Sequence, residues 1–151
     1  MKKLFQVSYT KKEWDQFFDT HPKIARMRRK PKQPYLIPSI NHYYMYRGMK
    51  TKFGKVMVQK YLAPESVIFL EFMNTLLKKL KVPVNDSDNL RLYIKAYYSD
   101  NRRRDADNPK AIMDSMKGIV IEDDSQIDKF IFHKVPRSDK DKVIIDLRIM
   151  E

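Results

Sequence analysis

The stretch Leu90-Arg91-Leu92-Tyr93-Ile94-Lys95-Ala96-Tyr97-Tyr98 decides the fold class. Leu92, Ile94, Ala96 and Tyr98 alternate with Arg91, Tyr93, Lys95 and Tyr97, the two-residue period of a strand with one buried face. Downstream, Asn108-Pro109 opens a helix, with asparagine as N-cap and proline in the first turn. Ala111, Ile112, Ser115 and Met116 continue that helix, and Gly118 supplies its stop. Residues 119–121, 130–135 and 143–150 read as further strands, with polar residues 136–142 as the turn joining the last two. Upstream, Pro64-Glu65 starts a second helix, since proline suits the first turn and glutamate complements the dipole there. Its apolar positions are Val67, Phe69, Leu70, Met73, Leu76, Leu77 and Leu80, and Lys78, Lys79 and Lys81 favour its C-terminal end. Strands and helices interleaved in this way predict an α+β domain, a small mixed β-sheet with the helices from Pro64 and Pro109 packed on it.

Working further outward, Leu4, Phe5, Val7 and Tyr9 suit an edge strand. Thr10-Lys11-Lys12-Glu13 has the spacing of a capping box and would start a helix. Trp14, Phe17 and Phe18 give that helix a face to bury, and His21-Pro22 marks its end. Residues 20–64 hold eleven Lys or Arg and no Asp or Glu. Tyr35, Tyr43, Tyr44, Tyr46, Phe53 and Tyr61 are interleaved with the cations, and Pro31, Pro34 and Pro38 argue for extended or loop backbone.

The 151 residues suit one domain with a real core. Charged residues are 33%, above the usual quarter, and 31 Lys and Arg against 19 Asp and Glu leave +12. Such an imbalance attracts polyanions, nucleic acid or an anionic membrane. Without cysteine, disulfides, thiolate zinc sites and a cysteine nucleophile are excluded. No apolar run has signal-peptide or membrane-span length, so the expectation is a soluble, cytoplasmic protein.

Two acidic clusters stand against this basic background. In Asp105-Ala106-Asp107-Asn108, alternate residues of an extended segment point to one side, so both aspartates can converge on one cation. The second is Glu122-Asp123-Asp124-Ser125-Gln126, and a helix from Pro109 packing back on the sheet would let the clusters meet at neighbouring strand ends. Converging carboxylates repel unless a cation neutralises them. Hard oxygen donors without His or Cys suit Mg²⁺, or Mn²⁺ as a substitute. Carboxylate-held metal beside a cationic surface is what phosphodiester hydrolysis requires. Lys110 could bind phosphate or steady the attacking water, and Arg102, Arg103 and Arg104 could hold flanking phosphates. Against this, an isolated Asp-x-Asp is more often a solvated turn, and Asn108-Pro109 can be a mere cap. The combination in one small chain is what favours a metal nuclease.

Arg103-Arg104-Asp105-Ala106-Asp107-Asn108, then Lys110, then Asp114-Ser115-Met116-Lys117-Gly118-Ile119-Val120, then Asp123-Asp124-Ser125-Gln126-Ile127, resembles the signature of the RusA Holliday junction resolvases. Pro38-Ser39-Ile40-Asn41 with Tyr43 and Tyr44 resembles the start of that family, and the likeness spans about residues 36–150. Only Pro109 separates Asn108 from Lys110, where the family usually has two residues. The resemblance implies a RusA-like fold and a Mg²⁺-dependent, homodimeric endodeoxyribonuclease that resolves four-way DNA junctions by paired symmetric nicks in recombination and repair. Many relatives are of phage or prophage type. By matching position Asp105, Asp107 and Asp124 become the metal ligands and Lys110 the essential lysine. Two symmetric sites on a dimer suit the two equivalent scissile phosphates of a junction. Residues 36–151 then form the endonuclease domain, and residues 1–35 are an N-terminal extension or a reshaped first strand plus short helix.

For the basic region, a DNA-binding arm using Arg26, Arg28, Arg29, Lys30, Lys52 and Lys55 is the functional reading, with Tyr43, Tyr44 or Phe53 stacking at an opened junction. A solvated lysine-rich surface over core aromatics is the alternative. Asp114 can salt-bridge Lys110, its i−4 neighbour, or touch metal. Asp123 and Gln126 would orient the site. Two competing functions are a non-catalytic DNA-binding phage accessory protein on the same fold and a membrane-surface protein. The latter lacks any segment with a basic face and a broad apolar one.

Overall fold

The computed structural model describes residues 1–39, 43–100 and 109–151. The elements in chain order are β1 (Lys2–Thr10), α1 (Lys11–Thr20), α2 (Pro22–Ala25), β2 (Tyr44–Lys50), β3 (Val56–Leu62), α3 (Pro64–Lys79), β4 (Leu90–Tyr97), α4 (Pro109–Met116), β5 (Ile127–Val135) and β6 (Lys142–Ile149). Four strands form a mixed sheet in the order β1-β6-β4-β5, and β2-β3 form a separate antiparallel ribbon. The expected α+β class, mixed sheet and two main helices are all present.

β4 is central because its alternation is the cleanest in the chain. Leu90, Leu92, Ile94 and Ala96 are fully buried while the residues between them stay half-buried. Its register sets Ile94 opposite Ile145 of antiparallel β6 and beside Phe132 of parallel β5. β6 supplies Val143, Ile145 and Leu147 to the same buried face. α3 and α4 join this core through Ile68, Phe69, Phe72, Met73 and Leu77 on one side and Ala111, Ile112 and Met116 on the other. The buried stripe of α3 thus includes Ile68 and Phe72, whereas Val67, Leu70 and Leu76 of the expected face are only half-buried. Aromatic neighbours explain the rotation, because Phe72 is wedged among the rings of Tyr9, Trp14 and Phe17 at 5.2–5.3 Å.

The N-terminal segment is built into this unit. β1 is the expected edge strand, paired antiparallel with β6. Thr10 caps α1 through the expected box: its hydroxyl accepts from Glu13 N at 3.2 Å, and the Glu13 carboxylate accepts from Thr10 N at 3.3 Å. Trp14 is fully buried, with its ring 5.3 Å from Phe69 and its indole N–H donating to Tyr35 O at 2.9 Å.

One expected strand does not form. Ile119 and Val120 form a turn and Ile121 makes only isolated bridges to Asn85 and Lys117, because Gly118 adopts φ 76 and the N–H groups of Ile119, Val120 and Ile121 all return to Met116 O. A left-handed residue at that point reverses the chain cheaply only as glycine. Val120 and Ile121 are buried as their apolarity predicts, but in a turn and an isolated bridge rather than in a strand. No helix among the described residues is long and apolar enough to cross a membrane.

Candidate active site

Asp124 opens a short 3-10 turn, Asp124–Gln126, that leads into β5. Gln126 fixes that turn from both ends of its amide. Its oxygen accepts from the N–H groups of Glu122 and Asp123 at 3.0 and 3.2 Å. Its nitrogen donates to Asn85 Oδ1 at 3.0 Å and Asp88 O at 3.3 Å. Asn85 completes the staple, since its N–H donates to Val120 O and its carbonyl accepts from Glu122 N, each at 3.0 Å. The 85–89 loop thereby becomes the platform for the second acidic cluster, a role its composition does not announce.

Asp123 turns to the hydroxyl of Ser125, which donates to it at 2.7 Å. That hydrogen bond holds the Asp123 carboxyl below the usual carboxylate range, with Asp124 and Lys117 adding to the effect. Asp124 keeps an outward carboxylate, its side chain 37% exposed, with Lys117 Nζ 3.3 Å from Oδ2.

Lys117 links this turn to α4. The ammonium also lies 3.7 Å from Asp114 Oδ1, and Lys110 approaches the same oxygen at 3.8 Å from one helical turn earlier. Burial alone would lower the Lys117 pKa, but the hydrogen bond and charge of Asp124, then Asp114 and Asp123, carry it above the ordinary lysine value. The other carboxyl oxygen of Asp114 accepts from the Tyr43 hydroxyl at 2.7 Å. Tyr43 is 1% exposed, and burial followed by that bond raises its phenol pKa far above the usual value. Lys110, Asp114, Lys117 and Asp124 therefore form one continuous line of alternating charge that runs from α4 to the acidic turn.

Of the expected site residues, Lys110 and Asp124 are thus joined through two intermediaries. Asp105, Asp107, Asn108 and Arg102, Arg103 and Arg104 lie outside the described residues. Among the described residues no group of three His, Asp or Glu side chains is placed to hold a metal ion. The expected meeting of the two acidic clusters at neighbouring strand ends involves Asp105 and Asp107 and so lies outside the described residues. β4 and β5 run parallel, so the end of β4 that leads to the first cluster and the start of β5 that follows the second lie at opposite ends of the pair.

The cations of the basic region take two forms. Arg26, Arg28, Arg29 and Lys30 are exposed on the irregular backbone after α2, and Lys52 and Lys55 are exposed at the turn of the β2-β3 ribbon. Of the aromatics considered for stacking, Tyr43 is core and tied to Asp114, Tyr44 sits edge-on to it at 4.8 Å, and Phe53 stands 81% exposed. Asp114 does salt-bridge Lys110, as its spacing predicts. Lys117 stood in the sequence only as one position of the family-like stretch from Asp114, although its i+3 spacing from Asp114 was a usable sign.

Half-exposed carboxylate oxygen, a lysine within reach and a cationic surface can together hold a divalent ion against a phosphate. No curated protein matches the chain. A family model, described as Endodeoxyribonuclease RusA, matches residues 7–148. Spanning nearly all of the 151 residues, from β1 through the acidic turn to β6, that match makes the chain a member of the RusA endodeoxyribonuclease family.

Proposed function

We propose that the chain is a Mg²⁺-dependent endonuclease for branched DNA that resolves four-way junctions by paired nicks, acting as a homodimer on DNA in the cytoplasm. Asp105, Asp107 and Asp124 are the proposed metal ligands, with Mn²⁺ able to substitute. The single observation that supports the site is the charge line from Lys110 through Asp114 and Lys117 to Asp124. It connects the proposed lysine on α4 to the proposed third ligand in the acidic turn through two intervening side chains. The donors suit a hard cation, since Asp124 offers carboxylate oxygen to solvent and no cysteine exists in the chain.

When bound, a divalent ion of this kind supplies an aligned, more acidic water and stabilises charge on the phosphate. The chain's own residues do the rest. Lys110, 49% exposed, is free to leave Asp114 for a phosphate oxygen, while Asp114 remains held by Tyr43 and Lys117. Gln126 and Asn85 keep the Asp124 backbone fixed, so its carboxylate needs little ordering when the site fills. Arg102, Arg103 and Arg104 would hold flanking phosphates, and Arg26, Arg28, Arg29, Lys30, Lys52 and Lys55 would grip DNA farther out. For residues 1–35 we favour the reshaped first strand plus short helix, supported by the β1-β6 pairing.

The test is cleavage of a synthetic four-way junction, a linear duplex and a flap, each with Mg²⁺ and with chelator. Wild type should nick the junction in a metal-dependent way, symmetrically across it. Asp107→Asn and Asp124→Asn should each cost at least about a hundredfold in rate, the upper range even for groups that merely support ligands. Both should keep or strengthen junction binding, because a negative charge near phosphate is lost. Normal cleavage by Asp107→Asn would discard the ligand assignment. Tight junction binding with no cutting by wild type would leave a DNA-binding accessory protein.

A further inference from the structure

The β2-β3 ribbon departs from every other element. Both of its faces are exposed along nearly its whole length, and apolar side chains stand on each. One face carries Met45, Met49 and Met57, and the other Tyr46, Val56 and Val58, all between 44% and 69% exposed. A two-stranded ribbon is marginal on its own in water, and exposed apolar surface of this kind marks a binding site. Its charges say what binds. Arg47, Lys50, Lys52, Lys55 and Lys60 are all cationic, and the ribbon has no acid. Three of the five already lie over aromatic rings: Arg47 over Tyr61, Lys52 over Phe53, and Lys60 over Tyr44 at 3.9 Å. Two copies of such a surface meeting across a twofold axis would set like charges together, whereas a polyanion satisfies all five.

The root of the ribbon sits at the candidate active site. Tyr43 O accepts from Ala63 N at 3.0 Å and from the Ser66 hydroxyl at 2.9 Å, while the Tyr43 hydroxyl donates to Asp114. From there seven residues of strand at ~3.3 Å each carry the tip about 20 Å away, the length of ~6 base pairs. The tip turn is closed by Thr51 N donating to Lys55 O at 2.8 Å, with Gly54 at φ 78, and it presents Phe53 between two lysines. A major groove about 12 Å wide admits a ribbon of this width.

We infer that the β2-β3 ribbon is a DNA-arm clamp: it lies in the groove of the duplex arm leading away from the cut, with its cations on the phosphates and Phe53 as an apolar wedge at its far end. This rests on reading the chain as a DNA nuclease and adds where, and by which element, the arm is held.

The experiment measures junction binding in chelator, so that nothing is cut, together with a hydroxyl-radical footprint, and maps the nick separately with Mg²⁺. Lys52→Ala/Lys55→Ala should weaken binding and reduce the salt slope by about 2, one per phosphate contact. Phe53→Ala should weaken binding about fivefold or more with the slope unchanged. Both should lose protection centred ~6 base pairs from the nick and keep protection at the nick itself. Unchanged affinity, slope and footprint in both variants overturn the proposal. So does a shift from dimer to monomer in sedimentation without loss of the footprint, which makes the ribbon a contact between copies. A wild type that nicks no DNA, yet whose binding still depends on Lys52, Lys55 and Phe53, sinks the nuclease reading and leaves the clamp standing.

Discussion

β4 and the β2-β3 ribbon are both extended segments rich in apolar side chains, yet one is the centre of the core and the other, beyond its root at Tyr44 and Leu62, is left exposed among the described residues. The difference is in what accompanies the apolar set. In β4 the apolar residues fall on one face, with two flanking strands and two helices to bury them. In the ribbon they fall on both faces and are interspersed with cations that cannot be buried unpaired. Hydrophobicity alone therefore does not tell core from contact surface. The pattern of charge around it does.

The sharpest way to break this comparison is to remove one large aromatic from each region. Trp14→Ala should cost ~3–5 kcal/mol, because the indole is fully buried among Phe18, Phe69 and Phe72 and donates to Tyr35 O. Phe53→Ala should change stability by no more than about 0.5 kcal/mol, since it touches little but water. Denaturant titration of both variants decides it. A Phe53→Ala variant as damaged as Trp14→Ala would mean that the ribbon is structural after all.

Tyr43 joins the two regions, and its removal is expected to have an intermediate effect. Tyr43→Phe keeps the ring and deletes the hydroxyl that donates to Asp114. A hydrogen bond to a charged acceptor contributes ~1.5–3 kcal/mol, part of which the lysines beside Asp114 would retain, so a stability loss of about 1 kcal/mol is expected. Asp114 would then be held by Lys110 and Lys117 alone, and the Lys110 side chain should become less available to phosphate. Cleavage should fall while arm binding through the ribbon persists. A variant with wild-type cleavage would show that the ribbon root and the site are neighbours without being coupled.

Much of the fold was legible because its signals were local. The Thr10 box, the Pro109 start, the Gly118 stop and the β4 alternation each rest on chemistry within a few residues. The failures came where composition was a poor guide to local hydrogen bonding or where distant partners decided. Residues 119–121 look like a strand by composition, but Met116 O collects their N–H groups and leaves none for a ladder. The α3 stripe turned toward Phe72 because β1 and α1 bring three aromatic rings to it. At the site, Asp124 was legible from its motif, whereas the Asn85 platform could not be read, since its bonds span sequence gaps closed only by folding. Lys117 lay between these cases, one pairing local to α4 and the other not.

The acidic turn at Asp123 sharpens the comparison from the opposite side, being exposed like the ribbon yet rigidly bonded like the core. Its carboxyl is depressed mainly by the Ser125 hydroxyl, against the raising effect of burial. A carboxyl whose folded pKa lies below its unfolded value stabilises the fold above the ordinary value of 3.8, and that contribution is lost as pH falls through the depressed folded value. Ser125→Ala should therefore move the Asp123 midpoint, followed by carboxyl NMR, up toward the ordinary value, while stability at neutral pH changes little. Amide exchange at Glu122 and Asp123, whose N–H groups are held by Gln126, should stay slow in the variant above pH 5, because that staple does not pass through the serine. If the wild-type Asp123 midpoint is already ordinary, the Ser125 bond is not formed in solution, and the turn owes its order to Gln126 and Asn85 alone.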